Sequence, residues 1–263
     1  MQRGVMFLPP MSSVKILALE ASTEACSVAL LNDAGVTVRS CAIPKSHAKT
    51  LLPMIDDVLH EASVTLADLT AIAVSRGPGS FTGIRICLSV AQGLSYGSKR
   101  PLMAFNSLEV AAQVAASQAD HQVPTLLIPA FDARMNEVYW AAYLIENTII
   151  TEVASPQLHS PGDFNRAMQS LSVARKEYRV AVGHGWTLDE VDRDGIAELH
   201  PEVSPSASGI LALIASRGID NVLEAAQLDA VSNPIEPLYL RNEVTWKKRK
   251  KIRTSESLFS SGN

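Results

Sequence analysis

A mixed α/β fold in two halves, each a sheet with helices packed on it, is what this sequence predicts, and three observations predict it. Each half opens on short β-rich runs and only later changes to helical spacing. That plan occurs twice, from Val14 and again from Thr125, although no residue-level repeat accompanies it. The chain has 263 residues, 47% of them hydrophobic and 19% charged, which is enough for a sizeable core in an ordinary globular protein.

The first half begins with VKILALE (Val14 to Glu20) and CSVALL (Cys26 to Leu31). The turn at Asp33-Ala34-Gly35 then leads into a third run, Val36 to Ile43, so an antiparallel meander is expected. After Pro44 the period changes. His47, Leu51, Met54, Ile55, Val58, Leu59 and Ala62 fall on one helical stripe with Asp56, Asp57 and Glu61 opposite, and Pro53 is expected to kink that helix. A short strand, Ala71 to Val74, precedes the most unusual stretch of the chain, SRGPGSFTGIRICLSVAQGLSYG (Ser75 to Gly97). Its glycine-dense turn ends the strand, Ser80 or Thr82 can cap a helix, and an unbroken helical run follows. A strand at Leu102 to Phe105 and an alanine-rich helix from Ser107 to about Ser117 close the half.

The second half offers strands TLLIPAFDAR and EVYWAAYLI, and a third around Thr148 to Val153. SPGDFNRAMQSL reads as a serine-capped helix, Tyr178 to Val182 as a strand, and Gly183 to Gly185 as a turn. Pro201 to Pro205 leads into the helix SASGILALIASRG, stopped by Gly218. Asn233-Pro234 and Glu236-Pro237 then break the chain before YLRNEVTW. The division that results is 1–12 as a disordered extension, 13–105 as an N-terminal lobe, 106–245 as a smaller C-terminal lobe and 246–263 as a basic mobile tail.

Composition excludes several classes. No run of 18 apolar residues is present, so no transmembrane helix is expected, and MQRGVMFLPP lacks a signal-peptide cleavage pattern. Cys26, Cys41 and Cys87 are odd in number and without CxxC spacing. This argues against a disulfide framework or a thiolate metal site and fits a reducing cytoplasm. The net charge is −4, and six of the 23 basic residues sit in Val244 to Thr254, leaving 17 against 27 acidic ones in the body. An acidic body is a poor unaided nucleic-acid binder, although the tail could add phosphate contacts for an RNA.

The motifs divide into chemistry and packing. Gly77 and Gly79 could present backbone N–H groups to a phosphate at a helix start, but the Lys-Ser/Thr ending of a Walker loop is missing. His47, His60, His121, His159, His184 and His200 include no pair at i, i+4, so no helical zinc grip is available, and no GxSxG elbow is present. Asp132 and Arg134 are expected to pair across a strand turn rather than to catalyse. Ser89, Gly93 and Gly97 recur at i, i+4, i+8 and leave one helix face almost without side chains. Interior glycines cost a helix roughly 0.5–1 kcal/mol each, so something packing closely on that face is expected.

LALEASTEACSVALL, SRGPGSFTGIRICLSVAQGL, PAFDARMNEVYWAAY and EPLYLRNEVTWKK, in that order and spacing, resemble the bacterial TsaB (YeaZ) family from about Val14 to Lys248. The resemblance implies an actin-like, Hsp70-like two-lobe fold. It also implies a role in making N6-threonylcarbamoyladenosine at position 37 of tRNAs that read codons beginning with A. In that family the chain is a non-catalytic partner of TsaD, the transferase, with the ATPase TsaE completing the assembly. ATP with Mg²⁺ and threonylcarbamoyladenylate are used by the complex, and no cofactor is expected on this chain alone. The resemblance places the TsaD contact, or a homodimer contact in its absence, on helices of the N-terminal lobe: His47, Leu51, Met54, Ile55, Val58, Arg85, Ser89, Gly93 and Gly97.

The catalytic relatives carry an HxxxH metal grip where this chain reads Phe105-Asn106-Ser107-Leu108-Glu109, so a metal peptidase is not expected. EASTE stands where actin-like enzymes carry a phosphate turn. An actin-fold phosphotransferase holding ATP at Glu20, Ser22, Gly77 and Gly79 is therefore the rival reading. Translation is expected to start at Met11, just before the family's first strand.

Overall fold

Two five-stranded mixed sheets with the same strand plan carry the protein in a computed structural model, which describes residues 14–43, 47–118, 123–146, 149–171, 178–232 and 235–241. The first sheet consists of β1 (Ile16–Glu20), β2 (Cys26–Asn32), β3 (Gly35–Cys41), β4 (Ala71–Ser75) and β5 (Leu102–Phe105). Its order is β3-β2-β1-β4-β5. The meander expected from the sequence is present, with Leu19 opposite Val28 and Val28 opposite Arg39. β4 and β5 add in parallel, Ile72 lying beside both Leu17 and Leu102. Parallel neighbours need crossover connections, and helices α1 (His47–Glu61) and α2 (Phe81–Ser98) supply them. α1 runs without a break through the exposed Pro53.

The second sheet repeats the plan with β6 (Thr125–Arg134), β7 (Glu137–Glu146), β8 (Ile149–His159), β9 (Tyr178–Val182) and β10 (Glu198–His200), in the order β10-β9-β6-β7-β8. Again an antiparallel three-strand meander is extended by two parallel strands. The β6–β7 turn holds Arg134, Met135 and Asn136 at positive φ. Asp132 pins it by accepting from the Arg134 amide at 2.7 Å and pairing with its guanidinium at 3.2 Å. The expected Asp132–Arg134 pairing is thus present.

Alternation along the strands sorts side chains to two faces. In the first sheet Leu17, Leu19, Ile72 and Val74 face α1 and α2, whereas Ile16, Ala18, Ala71 and Ala73 face the opposite side. That second face is covered by α5 (Ala207–Arg217) and α6 (Ile219–Ser232), with Ile210, Leu213 and Ile214 packed against the strand alanines. The Ala207 amide donates to Ser27 Oγ at 2.9 Å and fixes the docking. The single lobe drawn over 106–245 is corrected here: its last helices return to the first sheet, because the alanine-lined face of that sheet has no other cover. α6 was not expected at all, since Gly218 does end α5 but the next helix starts immediately after it.

α3 (Ser107–Gln118) packs on the second sheet, and α4 (Pro161–Ser170), capped by Ser160, covers its far face. There Phe164 meets Trp140 and Trp186 edge-on at ring-centroid distances of 5.5 and 5.0 Å, and the Trp186 indole donates to Ile128 O at 2.8 Å. Residues 235–241 form a strap across the two halves. Gln92 donates to Ile235 O, the Leu238 amide donates to Arg76 O at 2.8 Å, and Arg241 bonds Glu137 and the carbonyl of Ala133. The extension 1–12, Met11, His121 and the basic tail lie outside the described residues. Among the described residues no helix is long and apolar enough to cross a membrane.

Candidate functional site

Strands β1, β4 and β5 point their C-terminal ends at the same edge of the first sheet, where ligands of open α/β sheets usually bind. Here three turns fill that edge by bonding to one another. The Ser80 amide donates to Ser22 O at 2.7 Å, and the Ser107 amide donates to Gly77 O at 2.9 Å. Ser75 and Ser107 share a buried hydroxyl bond of 2.7 Å. Approach is so close that a Cβ on Gly79 would lie 2.1 Å from Ser22 O, and one on Gly83 2.1 Å from Ala21 O. At the start of α2, Ser80 takes the Gly83 amide with its hydroxyl and the Ile84 amide with its carbonyl. The amides of Ser80, Gly83, Ile84 and Ser107 at this edge are therefore already spent on protein oxygens.

The nucleotide contact drawn at Glu20, Ser22, Gly77 and Gly79 consequently falls on a closed turn. Glu20 is 1% exposed and Ser22 2%. Glu20 Oε1 accepts from the Ser22 amide, while Glu20 Oε2, Ser22 Oγ and His47 Nε2 are buried without a hydrogen-bond partner. Burial pushes the Glu20 carboxyl above its ordinary value of 4.5, against the lowering effect of the nearby Ser22 and Ser75 hydroxyls, the Ser22 amide and His47. Among the described residues no three His, Cys, Asp or Glu side chains gather to hold a metal ion. Where the catalytic relatives carry their histidine pair, Asn106 Oδ1 caps the Leu108 amide at 2.9 Å and Glu109 pairs with Arg217. Burial likewise raises the thiols of Cys26 and Cys87, so neither is a poised nucleophile.

The raised carboxyl has a measurable consequence. The folded protein keeps the Glu20 proton to higher pH than the unfolded chain does. The stability contributed by the neutral acid is complete below the unfolded value near 4.5 and is lost as pH rises through the folded one. Glu20→Gln, neutral at every pH, should exceed the parent in stability by about 1–3 kcal/mol at pH 8, the cost of a buried group left without its partner. Urea denaturation at pH 8 and pH 4.5 checks this, since the advantage should shrink at the lower pH.

On the far side of α2 the picture reverses. Ile84, Cys87, Leu88 and Ala91 bury one face, which leaves Arg85, Ser89, Gly93 and Gly97 exposed. Among the described residues neither Gly93 nor Gly97 has any atom within 4 Å of where a Cβ would stand, so no described part of the chain uses the bare face. It is flanked by aromatic groups. Tyr96 is 89% exposed, and the Arg85 guanidinium lies 3.8 Å above the Phe81 ring while its Nε donates to the Tyr239 hydroxyl at 2.7 Å.

Five of the residues assigned to the partner face are elsewhere. His47, Leu51, Met54, Ile55 and Val58 point inward from α1, from 0% to 8% exposed, and the four apolar ones join the core of the first sheet. A hydrophobic stripe identifies which side of a helix is buried, not what buries it, and here the sheet uses the whole stripe. From α1 the surface instead receives Leu52, which is 53% exposed. Phe81, Tyr96 and Tyr239 escaped notice in the sequence. The i, i+4 spacing of Phe81 and Arg85 was the available signal for the first, and the contact of Tyr239 across 154 residues had none.

Comparisons with known proteins agree with this geometry. A family model described as TsaD, tRNA N6-adenosine threonylcarbamoyltransferase, matches residues 27–192. The tRNA threonylcarbamoyladenosine biosynthesis protein TsaB of Escherichia coli is 37% identical over 239 residues, covering 89% of this chain and 98% of that one. TsaB of Haemophilus influenzae is 35% identical, covering 90% and 98%. Among solved structures, YeaZ from Pseudomonas aeruginosa superposes with a TM-score of 0.68 at 34% identity, covering 80% of this chain and 98% of that one. Such overlap, nearly end to end in each relative, together with two sheets of one plan in an actin-like two-lobe arrangement, places this chain in the TsaB (YeaZ) family.

Proposed function

We propose that the chain is a non-catalytic subunit of the assembly that transfers threonylcarbamoyl to N6 of adenosine 37 in tRNAs reading ANN codons. It holds the TsaD transferase through the exposed face of α2. The observation that carries this reading is the open stripe of Ser89, Gly93 and Gly97 between Arg85 and Tyr96. Small residues let a second helix approach closely, and surrounding aromatic and arginine side chains are the types that dominate binding energy at interfaces. The names of the relatives supply the pathway, and the burial of Glu20 and Ser22 argues against the phosphotransferase reading. On this reading TsaE joins the same assembly in the cytoplasm, ATP with Mg²⁺ and threonylcarbamoyladenylate are held by the assembly, and the α2 face pairs two copies of the chain when TsaD is missing.

Reconstitution tests it. A mixture of TsaD, TsaE, threonylcarbamoyladenylate and tRNA should form modified adenosine, measured by mass spectrometry of nucleosides, much more slowly without this chain than with it. Undiminished modification would overturn the reading, as would ATP turnover by the isolated chain.

A further inference from the structure

A cavity opens between the outer edge of β5 and α6. It has a volume of about 540 Å³, within the range of small-molecule sites. β5 is the last strand of its sheet. The carbonyls of Pro101 and Phe105 accept from Ile72 and Arg76 on the β4 side. Strand alternation therefore turns the N–H and C=O of Leu102 and Ala104 outward, toward the cavity. Apolar walls come from Leu102, Val222, Ala225, Ala226 and Ile235.

The charge in this opening is one-sided. Arg76, Arg217 and Asn221 line it, and no acidic side chain does among the described residues. Arg217 is already shared with Glu109, and Asn221 donates to the Arg217 carbonyl at 3.0 Å. Arg76 is different. It is half-buried, its Nε is out of contact with solvent and has no hydrogen-bond partner, and no acid pairs with it among the described residues. Burying part of a guanidinium without a partner is costly, and the cost is recovered when an anion arrives. The backbone at Arg76 is also fixed from both sides, its amide bonded to Phe105 O at 2.9 Å and its carbonyl to the Leu238 amide at 2.8 Å.

We propose that this cavity binds a small organic anion, a phosphate monoester or carboxylate carried on an apolar body, with Arg76 as its charge partner. The planar fork of the guanidinium suits either head group. The body lies over the apolar wall of α6 and Ile235, where α6 and the strap close the opening. α6 lies on the other side of the first sheet from α2, and Ile235, which lines the cavity, accepts from Gln92 of α2.

Titration calorimetry on the full chain with phenyl phosphate, phenylacetate and benzyl alcohol tests it, three probes that share a ring and differ in the head. At least one anion should bind saturably with a dissociation constant of roughly millimolar or tighter, and the neutral alcohol should not. Phenyl phosphate binding alone identifies the phosphate source, and phenylacetate alone the carboxylate source. Arg76→Gln should weaken the binding anion at least about tenfold. Ala225→Trp, on the exposed side of α6, should do the same by filling the opening while thermal melting stays unchanged. Failure of both anions to bind up to about 10 mM, equal binding of the alcohol, or binding indifferent to both substitutions would overturn the proposal.

Discussion

Gly79→Ala is expected to lower stability by about 3–5 kcal/mol, near the upper limit for a single substitution. Two costs combine. Gly79 has φ of +152°, where an L side chain is strained, and the added methyl would stand 2.1 Å from the Ser22 carbonyl oxygen. That oxygen is backbone and already accepts from the Ser80 amide, so it cannot swing aside as a flexible side chain would. The clash must spread into the β1–β2 turn and with it to the buried Glu20. Gly162→Ala is the matched control, because nothing lies within 4 Å of its added methyl; it should stay within about 0.5 kcal/mol of the parent. Chemical denaturation of the three proteins decides the matter, and a Gly79→Ala protein as stable as the control would show that the three turns are not mutually locked.

Gly93→Leu should have the opposite profile, an intact fold with lost association. The position is open, so the side chain meets nothing among the described residues, and leucine favours a helix over glycine by up to about 1 kcal/mol. The melting temperature should hold or rise. Against a partner helix the same side chain would hold the two backbones apart, and close contact between Ser89 and Gly97 would be lost with it. Sedimentation with TsaD, and of the chain alone, should show association reduced by at least about a hundredfold, in keeping with a residue at the centre of an interface. Retained binding would place the TsaD contact on another surface.

Much of the chain was legible because local signals and long-range packing agree. The β1–β2–β3 meander, the strand, glycine turn and helix of Ser75 to Gly97, and the Gly218 stop of α5 are written in alternation, capping and turn residues. What was not legible depends on contacts distant in sequence. Nothing near Ala207 announces that α5 docks on Ser27, 180 residues earlier. The stripe of Leu51, Met54, Ile55 and Val58 announced a buried face and was assigned to a partner, because periodicity carries no count of how much sheet awaits it. The GPG turn misled differently: glycines that let a backbone approach a phosphate also let it approach another backbone, and Gly79 against Ser22 is the second case. Arg76 stood in the most conspicuous motif of the chain, yet only the fold shows that its side chain leaves that motif for the cavity beside α6.

The strap has a thermodynamic consequence for partners. It is fastened at Gln92 and Arg76 on one sheet and at Ala133 and Glu137 beside the other, and between these Tyr239 meets Arg85 on α2 itself. Two-lobe folds commonly hinge about the cleft between their halves. Here a rocking motion would have to break these bonds, so the strap opposes movement beneath α2. A protein docking on it need not freeze that motion, and the free energy of contact is not spent on ordering the host.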